Sequence, residues 1–222
     1  MKKGENMEPQ KREVIWREFC KMFWIFILGC FLGFVYETIL VLFQKGYFEL
    51  RQGLIYGPLI PVYGIGGVVY YIFFRAAKPK GKWEVFFFSM LLGGITEYIS
   101  SWVQEAAFGT ISWDYSYLRL NFNGRTSVLH CIYWGIAGVL YITWIEPWIE
   151  KLGKITAKKW VKIATCICTV LLAVDVIISC MAAARQNERV HQIPAEGVVD
   201  EFFDRYYPDE FMDSIYTNKK HK

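Results

Sequence analysis

Five blocks of the chain are apolar on every side, with no polar face left by helical or strand periodicity. They cover residues 22–43, 54–74, 83–103, 127–145 and 163–183. Each is long enough to cross roughly 30 Å of hydrocarbon as a helix. A soluble domain of this length would show amphipathic stripes instead. The pattern predicts an all-α polytopic membrane bundle of about five transmembrane helices. Residues 1–21 form a basic cytoplasmic segment, 22–183 the transmembrane domain and 184–222 a C-terminal tail. In the tail, Val199, Phe202, Phe203 and Tyr206 share one helical face, with Asp200, Glu201, Asp204 and Arg205 elsewhere. Such a stretch would lie on the membrane surface or cover the bundle, with a partner site as the further alternative.

The second block is irregular. Between Gly57 and Gly67 it carries Pro58 and Pro61 with Gly57, Gly64, Gly66 and Gly67. A proline removes a backbone donor and crowds the preceding turn. The expectation is therefore a second helix broken by Gly/Pro, as at transporter ion and substrate sites; the plainer reading is a kinked, closely packed helix.

Composition agrees with this class: of 222 residues, 54% are hydrophobic and 21% charged. The net charge of +4 gives no reason to expect nucleic acid, and the basic residues follow topology instead. The N-terminal segment holds Lys2, Lys3, Lys11, Arg12, Arg17 and Lys21. The second loop holds Arg75, Lys78, Lys80 and Lys82, and the fourth Lys151, Lys154, Lys158 and Lys159. The first loop has only Lys45 and Arg51, and the third only Arg119 and Arg125. The N-terminus is expected inside, loops one and three outside, and after five crossings the C-terminus outside. The first block is too long for a signal peptide and lacks a small-residue cleavage site, so it reads as a retained anchor. The six cysteines lie within or beside apolar runs and read as packing residues, with no metal or cofactor motif.

Three acids interrupt the apolar blocks: Glu37, Glu97 and Asp175. A charge at mid-membrane costs about 2.5–3.5 kcal/mol on insertion scales, so each needs a partner, a proton or water. At 1.5 Å per residue, Glu37 and Glu97 lie roughly 9 Å inside the outer ends of their spans, and Asp175 slightly deeper. Small residues share their faces: Gly29 and Gly33 with Glu37, and Ser89, Gly93 and Ser101 with Glu97. This spacing lets membrane helices approach closely and turns the acids inward; acids serving only as hydrogen-bonded helix glue are the plainer alternative. Tyr56, Tyr63, Arg51, Asp114, Asn123, Arg125 and His130 lie toward the same end. With Glu37, Glu97 and Ser101 they make the candidate substrate-binding set. Catalytic residues are not recognisable.

Glu37-Thr38, Arg51-x-Gly53-x-x-Tyr56-Gly57-Pro58-x-x-Pro61-x-Tyr63-Gly64, Glu97-Tyr98-x-x-Ser101, Trp113-Asp114-Tyr115-Ser116 and Asn123-Gly124-Arg125 occur in that order. Together they resemble the bacterial membrane family described as putative ABC-transporter permeases, type IV. The resemblance covers residues 33–147 and leaves the fifth span and tail outside it. Arg51-Gln52-Gly53 departs slightly from the family's Asn-Arg-Gly-like turn. It implies a bacterial cell membrane and a permease-like role. With no Gly-x-x-x-x-Gly-Lys-Ser/Thr loop here, it also implies a separate ATPase subunit docking on inside loops, the fourth loop among them. A homo-oligomer is compatible with this reading. Two other classes stand beside it: an enzyme acting on a lipid or envelope precursor near the outer leaflet, and a structural or regulatory partner of another membrane protein.

Overall fold

The computed structural model describes residues 7–155 and 158–221. Lys2 and Lys3, counted above for orientation, lie outside them. The chain is mostly helical: α1 (Met7–Lys45), α2 (Pro61–Ala77), α3 (Lys82–Phe108), α4 (Val128–Leu140), a π-turn (Tyr141–Ile145), α5 (Glu146–Ile155), α6 (Lys159–Val190), α7 (Val198–Tyr206) and α8 (Asp209–Ile215). Two small antiparallel pairs complete it. Strand β1 (Thr110–Ile111) pairs with β4 (Lys220–His221), and β2 (Asn121–Phe122) with β3 (Thr126–Ser127).

Among the described residues, three stretches are long and apolar enough to cross a membrane: Lys11–Lys45, Val128–Ile155 and Lys159–Val190. Helix α2, with 17 residues, spans only about 25 Å. Helix α3 is longer but carries Lys82, Glu84, Glu97, Gln104 and Glu105. The first span is also longer than predicted, because α1 begins within the basic segment.

The expectation of a broken second helix is corrected. Residues 46–60 are not helical, and α2 then runs unbroken from Pro61. Pro61 stands at the start of the helix, where its missing N–H would have no helical partner anyway. The extended backbone before it is satisfied by the protein. The Ile60 N–H donates to the Cys30 carbonyl at 3.2 Å, the Ile55 N–H to Ser179 Oγ at 2.9 Å, and the Tyr56 N–H to Asp175 Oδ1 at 3.1 Å. Non-helical backbone at membrane depth needs such partners.

Helix α1 packs along α2 and α3 along α4, through the small-residue faces noted above. A Cβ on Gly33 would collide with the Tyr63 ring, and one on Gly93 with Trp134. The main core gathers Ile25, Tyr70, Tyr71, Phe74, Val85, Trp134, Tyr141 and Ile149. At the N-terminal end of α1, ion pairs tie the bundle together: Glu13–Lys162 at 3.0 Å, Glu18–Arg75 at 3.0 Å and Lys21–Glu150 at 3.4 Å.

The apolar block predicted to end at residue 145 continues as helix. The Glu146 N–H bonds to the Tyr141 carbonyl, five residues back, and the helix continues as α5. Pro147 accounts for the wide turn, since its ring would press on the Thr143 carbonyl in a regular helix.

The tail covers the other end of the bundle. Phe203, Tyr207 and Met212 form a second core with Ile55 and Ala182. Of the predicted apolar face only Phe203 is buried; Val199, Phe202 and Tyr206 are exposed.

Candidate functional site

The two family-motif acids come together. Glu97 is 7% exposed, and its two oxygens accept from Tyr115 Oη at 3.0 Å and Thr126 Oγ1 at 2.6 Å. Glu37 Oε1 accepts from Tyr63 Oη at 2.6 Å. The two carboxylates lie within electrostatic range of each other. Among the described residues neither forms an ion pair. The polar lining is therefore hydroxyl and aromatic: the Tyr63 ring lies 5.4 Å from Trp134, and Tyr36 meets Tyr63 edge-on.

Loop folding delivers the upper half of this cluster. Asn123 and Gly124 both have positive φ, and the Arg125 N–H donates to the Phe122 carbonyl at 3.0 Å. This is the positive-φ pair a tight hairpin turn requires. The Tyr115 N–H donates to the Gly124 carbonyl at 2.8 Å, and Trp113 Nε1 to the Arg125 carbonyl at 2.8 Å. The turn thus fixes the segment from which Tyr115 reaches Glu97. Burial, then the nearby Glu97 and Glu37 charges, push the Tyr115 phenol up, so it stays a proton donor. Its ring stacks on His130 with centroids 3.6 Å apart, and His130 Nδ1 lies 2.8 Å from Ser127 Oγ.

The other candidates are placed elsewhere. Arg125 bonds Glu105 at 2.6 Å and Ser101 Oγ at 3.3 Å. Arg51 Nη2 lies 3.4 Å from Glu49, which also pairs with Lys45. Asp114 Oδ1 accepts from the Ser116 N–H and hydroxyl, bracing the loop. Asn123 Nδ2 donates to Tyr98 Oη at 3.0 Å. Tyr56 Oη meets Tyr207 Oη at 2.8 Å, on the tail side. Asp175 accepts from the Tyr56 N–H and from Ser179 Oγ, so it anchors the extended segment. Tyr115, Thr126 and Trp134 join the site without having been candidates. Tyr115 lies inside a quoted motif, whereas the reach of Thr126 to Glu97 exists only in three dimensions.

The model of a family described as putative ABC-transporter type IV matches residues 24–180. The chain belongs to this family. The match extends through Asp175, so most of the predicted fifth span is inside the family region, contrary to the narrower extent read from the motifs, and residues 1–23 and 181–222 lie beyond it. No curated protein and no solved structure matches the chain. Family membership and three membrane-length apolar helices make it a transporter-like membrane protein.

Proposed function

We propose that the chain is the permease-like membrane component of a transport system, taking its substrate at the outer end of a five-crossing bundle. The observation that supports this best is that Glu37 and Glu97 lie within electrostatic range of each other. They sit on different helices and are held by hydroxyl donors without a cation among the described residues. Carboxyl groups without a cation partner among the described residues, set among tyrosine and tryptophan faces, favour a solute bearing a positive group.

Five crossings agree with the alternating helices and with the exposed aromatics. Trp83, Trp144, Trp148 and Trp160 lie on elements that meet at the end of the bundle carrying the Glu13, Glu18 and Lys21 pairs. Tryptophans gather at membrane interfaces, and the lysine-rich loops favour that end as the inner one. The ATPase partner would dock there, on α5 with its exposed Lys151 and Lys154.

The enzyme reading has less support. Ser127 and His130 stand at a nucleophile–base distance. However, Ser127 is buried and its Oγ also accepts the His130 N–H, which makes it the N-cap of α4.

The test compares small-molecule profiles of cells and medium for the native chain, a deletion, Glu37→Gln and Glu97→Gln. At native abundance, both variants are expected to reproduce the deletion profile. Native profiles in both would rule out the acid pair as the site.

A further inference from the structure

Helix α7 has one broad apolar face, and the bundle covers only part of it. After α6 the chain reverses: Gln192 has φ 59°, and the Ile193 N–H donates to the Glu188 carbonyl at 2.9 Å. α7 then returns alongside α6. Phe203 and Tyr207 share a buried cluster with Ala182. Ala182 lies one residue inside residue 183, where the fifth apolar block ends. Helix α7 therefore sits at the depth of a membrane leaflet's edge. Around its axis, at 100° per residue, Val198, Phe202, Tyr206 and Val199 occupy one arc of about 100°, next to Phe203 and Tyr207. Val198 is 82% exposed and Phe202 46%, whereas Phe203 is 5% exposed.

We infer that α7 is an interfacial membrane helix, with Phe203 and Tyr207 on the bundle and Val199, Phe202 and Tyr206 in the headgroup region of the bilayer that α6 crosses. Depth selects lipid as the occupant, because a helix that shares a buried cluster with Ala182, at the end of the apolar block, has its outward face beside the headgroup region. The charge balance then says how it binds. Within α7, Asp200, Glu201 and Asp204 outnumber Arg205, so apolar burial drives the contact and anionic lipid adds nothing. The tail is thereby fixed on both sides. Its far end joins the third loop through β4–β1 and through Asn218 Nδ2, which donates to the Ser112 carbonyl at 2.7 Å.

The inference rests on α6 crossing the membrane and is independent of what the acid site binds. The photocrosslinker p-benzoyl-phenylalanine replaces Phe202, Ile177 or Glu210, one at a time, in the full chain. The protein is irradiated in phosphatidylcholine vesicles with or without phosphatidylglycerol, and lipid adducts are read by mass. Positions 202 and 177 are expected to give adducts several-fold above position 210, at yields insensitive to phosphatidylglycerol. Adducts at 177 but not 202, or equal yields at 202 and 210, would overturn the inference. No adduct at 177 would overturn the crossing by α6 and the inference with it.

Discussion

Asp175 shows how a buried acid serves structure. Its Oδ1 accepts the Tyr56 N–H at 3.1 Å and Ser179 Oγ at 3.0 Å, while Ser179 takes the Ile55 N–H. Removing the acceptor leaves buried donors unsatisfied, which costs about 1–3 kcal/mol. Asp175→Ala should lower the unfolding midpoint in detergent. Asp175→Asn, which keeps a carbonyl acceptor, should restore most of it, and neither should change solute profiles at matched abundance. Glu37 and Glu97 were legible because a charge in an apolar run is conspicuous. The partners of Arg51 and Arg125 were not, because depth along a span says nothing about lateral position. Arg125 finds Glu105, two i+4 steps beyond Glu97 on the same stripe.

Among the elements, the tail has the clearest electrostatic control. Arg185 Nε and Nη2 each meet Asp204 at 2.9 Å, and Arg189 Nη1 does so at 2.7 Å. The bonds from Arg185, then Arg189, hold the Asp204 carboxyl below its ordinary value of 3.8. A carboxylate depressed in the folded state contributes stability above its unfolded pKa and loses it as pH falls through the folded one. Limited proteolysis between Gln192 and Gly197 should therefore stay slow from neutral pH down to about pH 4 and accelerate below it. Arg185→Leu should speed cleavage at neutral pH. Element boundaries were the least legible part of the fold. Prolines mark them in the sequence, yet Pro61 opens α2 while Pro147 sits in a helix that widens to admit it. Which outcome applies depends on neighbours such as Ser179 and Asp175, far away in the chain.

At the scale of the molecule, apolar blocks read out a membrane bundle because lipid leaves helices no other composition. The number of crossings depends on α2 and α3, which are shorter or more polar than the rest. Reporter fusions should show residue 80 inside, and residue 118 and the C-terminus outside; a cytoplasmic C-terminus would remove one crossing. The central claim, that Glu37 and Glu97 form the substrate site, is tested most directly by binding. The solute whose cellular level changes most on deletion is titrated into purified protein in lipid nanodiscs. Losing a hydrogen bond to a charged group costs about 1.5–3 kcal/mol. Glu97→Gln should therefore weaken binding at least tenfold while the fold stays intact. Equal affinity in the native protein and in both glutamine variants would contradict the account.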